Sequence, residues 1–207
     1  MIESDIAFIL LFAYIGGSLK YIDSAFDDGV FNRKLALILS VLTGFVFCLV
    51  IALNGYTAGI YLGIVISVIL AGKIDNFAFS LITAMVLAGV ILLGAEGLLY
   101  VNILTLAVIV LTSFIDEIGN DSADALKTSI NINKPAGVKG VLTDLYIRWF
   151  TFRCTAFAGL IFLALFADMP WIFFVAVLAD EGMYQFVGSV AGKRKKTTDT
   201  NPVVQVD

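Results

Sequence analysis

The sequence predicts an all-α, polytopic membrane bundle of about seven transmembrane helices, and three observations predict it. First, 60% of the 207 residues are hydrophobic and only 14% are charged, with a mean hydropathy of +0.98. A water-soluble domain carries about 25% charged residues, so this chain lacks the polar surface to face water on all sides. Second, its apolar runs approach the roughly 17–25 residues that cross a hydrocarbon core. Third, those runs lack the strict alternation of a membrane barrel, and backbone groups in lipid must then be satisfied within helices.

Taken in order, the runs are Asp5–Leu19, Leu35–Leu53, Tyr56–Gly72, Phe77–Gly94, Leu98–Ile115, Trp149–Ala167 and Pro170–Ala191. The first is slightly short, but it is read as a helix and not as a signal peptide, because acids rather than bases precede it and no small-residue cleavage site follows. The second and third are separated only by Asn54-Gly55, the fourth and fifth by Ala95-Glu96-Gly97, and the sixth and seventh by Asp168-Met169. Such short links join antiparallel neighbours. The segment from Ala125 to Thr143 is expected to be a long loop, and Asp180-Glu181 interrupt the seventh run. Residues 1–192 read as a single transmembrane domain, and 193–207 as a basic, then polar tail without fixed structure.

Charge orients the bundle. All thirteen lysines and arginines fall where odd-numbered runs end, from Lys20 through Lys193-Arg194-Lys195-Lys196. The opposite side carries only Glu3, Asp5, Glu96 and Asp168 of the seventeen acids. The positive-inside bias therefore expects an outside N-terminus, a cytoplasmic C-terminus and a multi-pass protein of the cell membrane.

Composition also removes chemistry. The chain has no histidine, which excludes imidazole acid–base catalysis, Ser-His-Asp triads and imidazole metal ligation. Cys48 and Cys154 lie in or near apolar runs, and two such thiols make no disulfide framework. No glycine-rich phosphate loop of a nucleotide-binding kind is present, and nucleic acid is not an expected partner.

What remains is a cytoplasmic face of carboxylates, amides and cations. Asp23 and Asp27 are four apart, as are Asp116, Asn120 and Asp124, so each set shares a helix face. Like charges at that spacing repel. Magnesium, held by one or two carboxylates plus substrate phosphates, would compensate them. The expected metal ligands are thus Asp23, Asp27, Asp116, Asn120, Asp121 and Asp124. Lys73, Lys127, Arg148 and Arg153 are the cations expected to bind diphosphate oxygens. Asp180 and Glu181 lie about ten residues from the outer end of their run, roughly 15 Å of helix rise and so near mid-membrane. Intramembrane acids are functional by default, and these two are the expected catalytic pair. A plainer reading stands beside this one: acids at helix ends solvate the interface and pair with neighbouring cations, as Asp144 and Arg148 do at a spacing of four.

Asn120-Asp121-Ser122-Ala123-Asp124 resembles the Asn-Asp-x-x-Asp motif of the UbiA-type intramembrane prenyltransferases, and Asp23-Ser24-Ala25-Phe26-Asp27 resembles their Asp-x-x-x-Asp motif. The resemblance covers about a dozen residues. It implies a helical bundle open sideways to lipid, with magnesium-bound prenyl diphosphate at two aspartate-rich helix ends. The chain differs from that family in having fewer helices, in the order of the two motifs, and in Thr128, where the first motif continues to a further aspartate. The expected function is accordingly a magnesium-dependent enzyme acting on an isoprenoid diphosphate or related lipid phosphate. The alternative is a divalent-cation transporter or channel lined by Asp75, Asp116, Asp180 and Glu181. Few polar residues, mainly Thr57, Asn102 and Thr105, occupy the outer half of runs two to five, which favours the enzyme. A non-catalytic membrane partner with a lipid-binding basic tail is a third possibility.

Overall fold

The computed structural model describes residues 2–130 and 137–200, with side chains over 5–130 and 137–197. Eight helices follow one another: α1 (Ile2–Phe26), α2 (Arg33–Leu53), α3 (Gly55–Leu70), α4 (Phe77–Ala95), α5 (Ile103–Ile130), α6 (Val138–Thr151), α7 (Cys154–Phe166) and α8 (Trp171–Thr200). No strand occurs among the described residues. Among the described residues, four helices are long and apolar enough to cross a bilayer, or five if the bent α6–α7 pair makes one span. Large apolar side chains point outward along them, Phe45 at 62%, Ile91 at 70% and Leu111 at 61% exposure, which water would not tolerate and lipid requires. The chain is an all-helical membrane protein.

Its contacts divide it into two compact units, with boundaries inside α2 and α8. The first holds α1, most of α2, α4 and most of α8. Glycines set the close approaches there. A Cβ on Gly16 would fall on the backbone carbonyl and carboxylate of Asp180, and one on Gly89 on the Cys48 sulfur. Arg33 ties the start of α2 to the end of α1 by donating to the carbonyls of Ala25 (3.3 Å) and Phe26 (3.1 Å), two of the acceptors a helix C-terminus leaves open. Phe12, Ile15, Phe47 and Val86 are buried in this unit.

The second unit holds α3, α5, α6 and α7 around α5. Asn54 caps α3, its side chain accepting from the Tyr56 and Thr57 amides while Thr57 reaches back to the Asn54 N–H. Gly59 and Gly63 bring α3 against Thr105 and Ile109 of α5. Ser67 on α3 donates across the contact to the Val110 carbonyl at 3.0 Å. Small residues and a hydroxyl are the means by which helices pack where no hydrophobic effect drives them together.

Three expectations about element boundaries are corrected. The run expected to begin at Trp149 is instead two helices, α6 ending at Thr151 and α7 starting at Cys154, bent by 65°. The break is at Arg153, which takes a left-handed backbone (φ 48°) without being glycine. The long loop expected from Ala125 to Thr143 shrinks at both ends, because α5 continues to Ile130 and α6 begins at Val138; Lys134 lies outside the described residues. Finally, α8 passes through Asp180 and Glu181 unbroken and runs on through 193–196 to Thr200. Residues 201–207 of the expected tail are outside the described residues.

Candidate functional site

The polar end of α5 carries a charge network that joins three elements. Its geometry starts at the end of α3, where Gly72 (φ 70°) takes the left-handed conformation. The Gly72 N–H then reaches the Ile69 carbonyl (3.0 Å) and the Lys73 N–H the Val68 carbonyl (3.1 Å). This is the Schellman closure of a helix, and it needs a residue without a Cβ penalty at that one position. The turn delivers Lys73 to α5. Its ammonium lies 3.1 Å from Glu117 Oε2 and 2.7 Å from Asp121 Oδ1, and donates to the Glu117 carbonyl at 3.0 Å.

Glu117 is the hub. Its side chain is only 5% exposed, and its other oxygen, Oε1, lies 3.0 Å from Arg153 Nη2. Burying a carboxylate is costly unless cations and hydrogen bonds compensate it, and here two cations do. Asp121, by contrast, keeps 65% of its side chain exposed. For Lys73, burial would lower the ammonium's pKa, but the carboxylates of Asp121 and Glu117 outweigh it and hold Lys73 above its ordinary value.

Asp116, beside this hub, has a different task. Arg153 at the N-cap of α7 provides no side-chain cap. The Asp116 carboxylate supplies one from α5, accepting from the Thr155 N–H (3.2 Å) and the Ala156 N–H (2.7 Å). An anion on the open amides of a helix start satisfies both their hydrogen bonds and the local dipole. Trp149 closes the other side of the break, its Nε1–H donating to Thr155 Oγ1 at 3.0 Å.

Of the other residues expected on α5, Asp124 pairs with Lys127 at 2.8 Å on the exposed surface, and Asn120 is half-buried. Arg148 is exposed on α6. The second unit therefore brings Lys73, Arg153 and Asp121 together around Glu117, and puts Asp116 to structural use.

In the first unit, Asp23 pairs with Lys20, whose ammonium also sits 5.2 Å from the Tyr184 ring centroid. Asp28 pairs with Lys195 at 2.7 Å. Asp27 has a carboxyl raised above the ordinary aspartate value, by burial first and then by the neighbouring charges of Asp23 and Asp75. On α8, Glu181 accepts from Gln185 at 2.6 Å, and Asp180 lies against Gly16.

An apolar groove of about 330 Å³ runs along α3 and α5 in the second unit, lined by Ile66, Leu70, Leu106, Val110 and Phe114 among others. On α5, Phe114 stands three residues, about 4.5 Å of helix, before Glu117, and Leu70, the last residue of α3, precedes the turn that delivers Lys73. The apolar stripe thus runs straight into the charge network.

Carboxylate oxygens suit a hard cation such as magnesium, but among the described residues no group of three or more carboxylates or thiols converges on one point. A metal carried in by phosphate needs only one or two protein carboxylates. No family model, curated protein or solved structure matches the chain.

The sequence did not single out Glu117 as a site residue. The signal was present: Val110, Phe114, Glu117 and Asp121 follow at spacings of four, three and four, so the face that begins apolar ends in two acids.

Proposed function

We propose that this protein is an intramembrane enzyme acting on an isoprenoid diphosphate or related lipid phosphate at the polar end of α3 and α5. The observation that carries the proposal is the continuity of the apolar groove with the Lys73–Glu117–Arg153 network one helical turn beyond it. An amphipathic substrate needs that order of surfaces: an apolar wall for its chain and fixed cations for its head.

Lys73 is shared between a buried and an exposed acid, which suits exchange. Diphosphate oxygens compete with Asp121 for the ammonium, while Glu117 keeps Lys73 and Arg153 in position. As the carbon–oxygen bond to the diphosphate breaks, its electron pair leaves with the pyrophosphate, where preorganised cations stabilise the charge that develops, and the prenyl carbon bonds to an acceptor nucleophile, which gives up a proton. In this unit Asp121 and Asp124 would hold magnesium bound with the substrate, which would supply further charge neutralisation. Asp23 and Asp27 as metal ligands, and Asp180 or Glu181 as a proton acceptor, stay proposals of the sequence pattern alone, and these four residues belong to the first unit. The distant resemblance to UbiA-type prenyltransferases supports the same reading. So does the lysine and arginine bias, from which we propose about seven crossings of the cell membrane with the N-terminus outside.

The test is thermal stability of the detergent-purified protein against magnesium, with and without geranylgeranyl diphosphate. A ligand that binds only the folded state at 100 times its Kd stabilises by about 2.7 kcal/mol. Joint stabilisation by magnesium and diphosphate, lost in Asp121→Ala, supports the enzyme. A graded response to divalent ions with none to the diphosphate refutes it and favours cation transport.

A further inference from the structure

We infer that α6 is a leaflet-embedded helix whose outer face is covered by lipid acyl chains, lying obliquely in one half of the bilayer and not along the membrane normal.

The face is defined by sequence and exposure together. Val138, Val141, Leu142, Leu145, Trp149 and Phe152 recur at helical spacing, and every one is exposed, from 44% at Trp149 to 76% at Val138. No residue of α6 is buried. The opposite face is the one docked on the protein, where a Cβ on Gly119 of α5 would strike the Phe150 ring. Lys139 stands on one edge of the apolar stripe and Asp144 and Arg148 on the other. An uncovered stripe of this size does not persist in water, and an apolar stripe with charged residues along both edges suits the headgroup–acyl boundary.

Length and angle identify the cover as lipid. Helix α7, at 13 residues, rises about 20 Å and falls short of the roughly 30 Å core. With α7 along the normal, the 65° bend projects the 14 residues of α6, about 21 Å long, onto about 9 Å of depth. The two together then reach about 29 Å and complete one crossing. The outer face of α6 is also continuous in kind with its neighbours: Leu111 and Ile118 of α5 and Phe162 and Leu165 of α7 are exposed and apolar.

The break is held for this purpose. Arg153 turns the chain through a left-handed residue, its side chain is fixed on Glu117, and Asp116 caps the new helix.

Tryptophan depth measures the geometry. The chain has two tryptophans, Trp149 and Trp171, so Trp171→Phe leaves a single reporter on the stripe. The full-length variant is reconstituted in phosphatidylcholine vesicles brominated at shallow or deep acyl carbons. Val138→Trp, on a background of Trp149→Phe and Trp171→Phe, reports the other end of the helix. Eleven residues separate the two positions, about 16 Å along the axis and about 7 Å in depth at the 65° bend. Quenching at both positions, with depths within about 10 Å, is the expected result. If Val138→Trp does not fold, Leu142→Trp reads the same stripe, with an expected depth difference from Trp149 of about 4 Å. Absence of quenching at Trp149, which would mean a protein partner or water covers the stripe, overturns the inference. A depth difference approaching the full axial separation, which would mean α6 runs along the normal, overturns it equally.

Discussion

Replacing Asp116 separates the two uses an acid at the end of α5 can have. As the cap of α7, its carboxylate accepts a short bond from the Ala156 N–H (2.7 Å) and a longer one from the Thr155 N–H (3.2 Å). A hydrogen bond to a charged group contributes about 1.5–3 kcal/mol and an ordinary one about 0.5–1.5 kcal/mol. Both bonds end on the same carboxylate, but the long one should contribute only as much as an ordinary bond, so Asp116→Ala should cost about 2–4.5 kcal/mol. That exceeds the roughly 1 kcal/mol typical of a solvent-exposed cap, because Asp116 is only 1% exposed and water cannot easily replace it. Asp116→Asn retains one acceptor oxygen and should lose about half as much. The assay is reversible unfolding in detergent, read beside hydrogen exchange at the Thr155 and Ala156 amides. Both amides should lose protection in Asp116→Ala before the rest of α7. A variant within 0.5 kcal/mol of the native protein, with unchanged exchange at both amides, would refute the capping role. Loss of a magnesium response in the same stable variant would return Asp116 to the metal set expected from sequence.

Further outcomes follow from the geometry. Lys73→Met leaves the buried Glu117 with Arg153 alone and should destabilise by about 1–3 kcal/mol, whereas Asp121→Asn, at an exposed acid, should change stability by less than about 1 kcal/mol; parallel denaturant unfolding compares them. Asp27 has a raised folded-state pKa, so the folded protein holds its proton more tightly than the unfolded chain. Its contribution to stability is then full below the unfolded value and lost as pH rises through the folded one, and Asp27→Asn should flatten that part of the pH–stability curve. Gly16→Ala places a methyl on the Asp180 backbone, which cannot swing away, and should cost at least the 1–3 kcal/mol of ordinary overpacking. Gly94→Ala, a helical position with open space around it, should stabilise by a few tenths of a kcal/mol up to about 1 kcal/mol in the same melting assay.

The membrane class and most helices were legible because each apolar run carries its own evidence. Helices of nearly the expected extent form at α2, α3 and α4, where run and helix coincide within a few residues. Ends were less legible. Helix α5 continues through Asp116, Glu117, Asp121 and Asp124 to Ile130, since acids on a helix facing water or cations do not stop it. The break at Arg153 gave no sequence signal, because neither glycine nor proline marks it; its cause is the tertiary pairing with Glu117 and the cap from Asp116. The site was legible in its residue types and not in its pairings. Sequence spacing puts Asp116, Asn120 and Asp124 on one stripe, but whether an acid meets a metal, a lysine or a helix end depends on which helix packs beside it. Lys73 lies 44 residues before Glu117, and that contact is created only by the α3–α5 packing.

That packing explains why buried charge and substrate binding can occupy the same place. Glu117 alone would be an expensive residue, and Lys73 and Arg153 alone would repel one another. Together they form a fixed set in which the buried carboxylate holds both cations within 3.1 Å. Removing Glu117 would therefore take from Lys73 and Arg153 the buried carboxylate they share, and leave Lys73 with the exposed Asp121. Asp121 adds a weaker and replaceable partner at the surface. An incoming phosphate that displaces Asp121 exchanges one exposed anion for another and leaves the buried pairing intact. If that exchange is the binding step, Asp121→Asn should tighten diphosphate binding in the absence of magnesium and weaken it in its presence. A plain anion site would show only the first effect, and a purely structural ion pair would show neither.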